Sequence, residues 1–175
     1  SSGIIKLRLT ATGNNREELL KLTGEQVSKL YDTIPQFIYG EDEETLEMAV
    51  GRHLRKKNLT LCTAESCTGG NISRKITSVP GSSDYYRGSV IAYANDIKTG
   101  ILGVDHLLIE RDGAVSETVA AAMAEGARKI MKTDFSVATT GIAGPSGGTQ
   151  MKPVGTLWIA VAHRSGTITE KHTFT

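Results

Sequence analysis

The 175-residue sequence predicts a layered α/β protein, a mixed sheet flanked by helices, and two observations carry that prediction. From Leu59 onward, short apolar runs alternate with segments of helical periodicity, separated by glycine-rich turns. The composition is that of a folded soluble chain, with 39% hydrophobic and 22% charged residues and neither a repeat nor a low-complexity tract. Before Leu59 the pattern is α+β in character. Residues 1–40 are expected to form a small segment of their own and residues 41–175 the main domain.

Each element has a local reason. Ile5, Leu7 and Leu9 alternate with Lys6, Arg8 and Thr10, the period of a half-buried strand. Asn15 followed by Glu18 starts a helix whose Leu19, Leu20, Thr23, Val27 and Leu30 share one face. Phe37-Ile38-Tyr39 predicts a short strand, and the acidic run from Glu41 to Glu44 marks the positive end of a helix carrying Leu46, Ala49, Val50, His53 and Leu54. That helix closes on Arg52, Arg55, Lys56 and Lys57, near its negative end. Strands are then expected over Leu59 to Ala64, Ser89 to Ala94, Phe135 to Thr139 and Thr156 to His163. Helices are expected over Thr68 to Thr77 and Asp96 to Leu102, and Ser116 caps an Ala-rich helix presenting Val119, Met123, Ala127 and Ile130. Arg164-Ser165-Gly166 turns the chain into a polar edge strand ending at Thr175.

Charge and composition exclude several functions. Twenty Lys and Arg stand against nineteen Asp and Glu, and residues 1–60 hold nine of each sign, so nothing drives nucleic-acid binding by bulk charge. No apolar run approaches the ~20 residues of a membrane span, and the N-terminus lacks the order of a signal peptide, which leads to the expectation of a cytoplasmic protein. Cys62 and Cys67 have neither zinc-knuckle nor CxxC spacing and read as thiols. The four His share no metal-binding spacing, and GxSxG is absent.

Three stretches could carry chemistry. Ala64 to Gly70 lies where a strand ends and a helix begins, presenting Ser66 beside helix-start amides that could bind an anion or an oxyanion; a plain helix cap at Ser66 or Thr68 is the competing reading, and Gly69 and Gly70 favour a close-lying ligand. Tyr93 ends a strand and Lys98 lies about one helical turn further on, so both could face one sheet edge. A partly desolvated Lys can act as a base, although a core-edge ring and a solvated charge are the commoner fate of such a pair. Finally, Thr139 to Thr149 follows a strand with four glycines in eight residues, Gly141, Gly144, Gly147 and Gly148, which suits either a phosphate cradle or a flexible turn.

Four motifs in order resemble one family: TAESCTGG at Thr63 to Gly70, the stretch Val79 to Val104, DGAVSE at Asp112 to Glu117, and TTGIAGPSGGT with KPVGT at Thr139 to Thr156. Residues from about Glu43 to Thr175 resemble the C-terminal domain of the competence/damage-inducible CinA proteins, which are nicotinamide mononucleotide (NMN) amidohydrolases. Residues 4 to about 40 look like the end of the KH-like domain preceding it in long CinA proteins. The resemblance implies a fragment, since such proteins also carry an amino-terminal molybdopterin-binding-like domain and continue past the position of Thr175 with a GDR-type turn and an Arg-bearing helix. It further implies hydrolysis of NMN to nicotinic acid mononucleotide and ammonia, in pyridine nucleotide salvage, with neither metal nor cofactor. By motif, Ser66 corresponds to the nucleophile and Tyr93 and Lys98 to its activating pair. Thr68, Gly69, Gly70, Thr140, Gly141, Gly144, Ser146, Gly147 and Gly148 would contact the substrate. NMN is thus the expected small-molecule partner and a homodimer the expected assembly, with neither membrane nor nucleic acid involved. A nucleotide-binding regulatory module without catalysis and a competence-related interaction domain are the alternatives. Ser66, Tyr93 and Lys98 together weigh against the first, and the absence of a GxxG loop in residues 1–40 weighs against the second.

Overall fold

The computed structural model describes residues 3–174. They divide into two compact units between Leu46 and Glu47, where the sequence places its boundary at residues 40 and 41.

The first unit is built on helix α1 (Arg16–Thr33), whose start is fixed as expected: the Asn15 side chain accepts from the amides of Glu17 at 3.0 Å and Glu18 at 3.4 Å. Two expected strands are not formed. Ile5 to Thr10 carries no ladder, and Ile5 is 86% exposed. Around Phe37 the chain makes a single 3₁₀ turn, Pro35–Phe37. A strand exists only against a partner, and none of the described residues of this unit supplies one; Pro35 also lacks the N–H that a ladder would use.

The second unit holds the sheet. Helix α2 (Leu46–Lys56) leads into β1 (Leu61–Glu65), followed by α3 (Asn71–Thr77), β2 (Tyr86–Ile91), α4 (Asn95–Gly100), α5 (His106–Asp112), α6 (Glu117–Met131), β3 (Phe135–Gly141), β4 (Thr156–His163) and β5 (Gly166–Thr173). The order is β2-β1-β3-β4-β5, with β2, β1 and β3 parallel, β4 antiparallel to β3 and β5 antiparallel to β4. The sheet is therefore mixed, as the sequence predicts. The expected terminus of the last strand, Thr175, lies outside the described residues.

Helix α6 covers one face of the sheet. Cys62 and Ala64 of β1, Ala138 of β3, and Ala160 and Ala162 of β4 pack there against Val119, Ala120, Met123, Ala124 and Ala127. A core built mostly of alanine lets helix and sheet approach closely, which answers how a chain with three Phe and one Trp fills its interior. Helix α6 also lies hard against the turn after α4 at Gly126, where an added Cβ would lie 2.0 Å from the Leu102 carbonyl oxygen. On the opposite face Leu61, Ile76 and Tyr85 form a second cluster with Leu54, Phe135 and Val137 packed against it.

Helix α5 has no counterpart in the sequence reading. Asp105 caps it by accepting from the Leu107 amide at 3.0 Å, and Gly113 ends it. β2 begins three residues before its expected start and ends before Ala92, with a register shift between Leu61 and Cys62 that leaves Arg87 as the extra residue on β2.

Candidate active site

The three parallel strands end together, and ligand sites of open α/β sheets lie outside such carboxyl ends. Just past β1, the Ser66 amide donates to the Thr139 carbonyl at 3.0 Å, and the Ala92 amide donates to the Glu65 carbonyl at 2.7 Å. Ser66 is thereby fixed between β3 and the segment leaving β2, and only 8% of it is exposed.

Helix α3 starts later than the expected Thr68 because Gly69 and Gly70 take φ of +57° and +96°, values that glycine adopts without strain. Its first-turn amides are not free for a ligand, contrary to expectation. The Glu65 carboxylate, fully buried, accepts from the amides of Gly70 at 3.0 Å, Ile72 at 3.1 Å and Ser73 at 2.8 Å, and from the Ser73 hydroxyl. Burial pushes the Glu65 pKa up, but these donors together outweigh it and hold the group below the ordinary carboxylate value. A line of hydroxyls continues from Ser73 to Thr63 at 3.2 Å and on to Tyr86 at 2.6 Å. The nearby amides of Cys67 and Thr68 favour the ionised form of the Cys67 thiol, against the larger effect of its burial.

Lys98, only 2% exposed, reaches back from α4 and donates to the carbonyls of Ala92 at 2.8 Å and Tyr93 at 3.1 Å. Because Ala92 is itself bonded to Glu65, the amine is held one strand away from the Ser66 turn. Burial lowers the Lys98 pKa, and the charge of Cys67 opposes part of that shift; burial in turn raises the Cys67 pKa, while its local amides and Lys98 pull it down.

The remaining expected site residues divide. Tyr93 contributes its carbonyl to Lys98, whereas the residue is 77% exposed and no hydrogen bond joins its phenol to Lys98 among the described residues. The Thr68 hydroxyl bonds that of Thr139 at 2.8 Å. Thr140 is buried and donates to the Ala114 carbonyl at 2.8 Å, so its hydroxyl serves the fold rather than an open cleft. Gly141 abuts the site: a Cβ there would sit 3.0 Å from the Cys67 sulfur. Further along, the loop folds on itself. Ile142 and Thr156 are joined amide to carbonyl at 2.8 Å, as are Gly155 and Ile142, and an added Cβ at Gly144 or Gly148 would strike Val154. Ser146, Gly147 and Gly148 are exposed on this loop. The Lys152 ammonium ties the loop to the Asp112 carbonyl of the DGAVSE turn.

Glu65 is the residue of this turn that the sequence reading does not single out, and its signal is a charge closing a strand that is buried throughout. Among the described residues there is no group of three or more His, Cys, Asp or Glu set to hold a metal, and no helix is long and apolar enough to cross a membrane.

Sheet order and side-chain placement define an α/β protein with a hydroxyl and a buried amine near the ends of parallel strands. Residues 43–175 match the CinA C-terminal domain, and the chain belongs to the CinA family. It is 48% identical over 171 residues to a CinA-like protein of Cytophaga hutchinsonii, covering 98% of this chain and 41% of that one. The chain thus spans about two fifths of the length of that curated relative. Its fold is similar to the crystal structure of the competence/damage inducible protein CihA from Agrobacterium tumefaciens, with a TM-score of 0.74 and 37% identity over 79% of this chain and 84% of that one. A CinA superfamily protein from Escherichia coli matches with a TM-score of 0.72 and 33% identity over 82% and 86% of the two chains.

Proposed function

We propose that this chain is an amidohydrolase acting on the carboxamide of nicotinamide mononucleotide, with Ser66 as nucleophile and Lys98 as base. The observation that carries the reading is the buried Lys98 amine, fixed by two carbonyls beside the Ser66 turn. A neutral amine that spends both N–H groups on those carbonyls keeps its lone pair for a proton. Ser66 Oγ attacks the carboxamide carbon and passes its proton to Lys98, and the oxyanion forms beside the turn that follows Ser66. Lys98 returns the proton to the departing ammonia, and a water then cleaves the acyl-enzyme, regenerating Ser66 and releasing nicotinic acid mononucleotide. Tyr93 steadies Lys98 through its carbonyl, and its exposed phenol is a proton relay once a bound substrate covers it. Gly141, Gly147 and Gly148 lie on the loop that would meet the nucleotide phosphate.

The exposure of Tyr93 favours one second reading, a nucleotide-binding module without catalysis. Ammonia release separates the two. The chain should release ammonia from NMN and far less from nicotinamide riboside, and Ser66→Ala should abolish release with little change in melting temperature. Nucleotide binding without ammonia release by the wild-type chain overturns the proposal in favour of the binding module.

A further inference from the structure

We infer that Glu65 is a positioning residue of the Ser66 site, clamping the Ser66-to-Gly70 turn onto the start of α3 so that Ser66 is held in one place at the end of β1. The inference rests on the proposed role of Ser66. A carboxylate is a costly choice in a fully buried strand position, because its charge must give up its hydration. A Ser or Thr cap would satisfy a helix start without that cost, and both residue types already stand in this turn. What a hydroxyl cannot do is hold three amides at once, as Glu65 holds those of Gly70, Ile72 and Ser73. All the donors on it are neutral, so the carboxylate answers to the turn and not to an ion pair. The same residue also reaches the base: its carbonyl takes the Ala92 amide at 2.7 Å, and the Ala92 carbonyl takes Lys98 at 2.8 Å. Nucleophile turn and base are thus registered to one another through residue 65.

The test compares Glu65→Gln, Ser73→Ala and Ser73→Thr in the whole chain. Three readouts are used: kcat and KM for NMN, the alkylation rates of Cys67 and buried Cys62 by iodoacetamide, and the melting temperature. Glu65→Gln places an amide N–H against amide donors and should loosen the turn. We expect kcat to fall about tenfold or more with KM within about twofold, and Cys67 to be alkylated about tenfold faster while Cys62 stays protected. Ser73→Ala should move both readouts less far in the same direction, and Ser73→Thr, which keeps the hydroxyl, should restore them. Unchanged kcat and unchanged Cys67 reactivity in a folded Glu65→Gln chain overturn the inference. So does a parallel rise of both cysteines, which signals general loosening, or a Ser73→Thr that behaves like Ser73→Ala. If Glu65→Gln does not fold, the Ser73 pair decides on the same readouts. If the wild-type chain releases no ammonia from NMN, the amidohydrolase reading fails by itself, and the cysteine rates still decide whether Glu65 holds the turn.

Discussion

Replacing Lys98 with Met removes the amine while keeping a chain of similar length in the same buried slot. Two hydrogen bonds go. The Ala92 carbonyl belongs to a fully buried residue, and losing its 2.8 Å donor costs about 1–3 kcal/mol. The Tyr93 carbonyl, at 3.1 Å, belongs to an exposed residue that water can reach, so its loss adds little. An apolar side chain no longer resists burial, which offsets part of the cost, and the net destabilisation should be about 1–2 kcal/mol. A domain with roughly 5–15 kcal/mol of stability remains folded after that loss. A missing general base, by contrast, costs about 10²–10⁴ in rate, far beyond what partial unfolding could produce. A second signature lies in the pH dependence. Burial lowers the Lys98 pKa from 10.5, so over the window between the folded value and 10.5 the unfolded chain carries a proton that the folded chain has released. Stability therefore rises with pH across that window in the wild type: the contribution is complete above 10.5 and lost as pH falls through the folded pKa. Lys98→Met should lack the rise. Ammonia release from NMN, together with urea unfolding at a series of alkaline pH values, measures both effects. A variant within about threefold of wild-type activity would refute the base assignment, and identical pH slopes would refute the buried-amine account.

Gly126→Ala should destabilise the chain by about 2 kcal/mol or more despite the ~1 kcal/mol helix preference for Ala, because the new Cβ would stand 2.0 Å from the Leu102 carbonyl oxygen; a melting temperature equal to or above wild type would contradict the close approach of α6. Asp134→Asn should cost roughly 0.5–1 kcal/mol near neutral pH, a modest figure because the carboxylate is largely exposed, even though it accepts from both the amide and the hydroxyl of Thr60 at 2.8 Å. The Thr60 hydroxyl and amide lower the Asp134 pKa, so this contribution is present above 3.8 and disappears as pH falls through the folded value; denaturation curves at neutral and acid pH should converge for variant and wild type.

The sheet was legible wherever a strong period met its natural partner. Thr156–His163 forms β4 with the bounds the sequence predicts, and Ser116 caps α6, its hydroxyl accepting from the Val119 amide. Ile5 to Thr10 alternates just as clearly and forms no strand, because alternation specifies a face but not the neighbour that completes a ladder. Helix α5 was missed because, unlike the similarly short α3 and α4, it does not follow a strand that the sequence marks; its signs were only the Asp105 cap and the Gly113 stop. In the candidate site, Ser66 and Lys98 are singled out as residue types at motif spacing, and the fold brings their segments together through Ala92. What spacing could not give was orientation: which way the Tyr93 ring turns, or that the amides after Gly69 already belong to Glu65.

A carboxylate only accepts, and that fact gives the buried row of hydroxyls a direction. Ser73 must spend its proton on Glu65, so its oxygen is left to receive one from Thr63, and Thr63 to receive one from Tyr86. Three dipoles are then aligned head to tail, all oriented by one charge at the end of the row. Were Glu65 to take up a proton, the row would lose its reason to point that way, and each hydroxyl would be free to turn over. The interior of β1 therefore works like a compass needle, set by the residue next to Ser66 and read out at Tyr86.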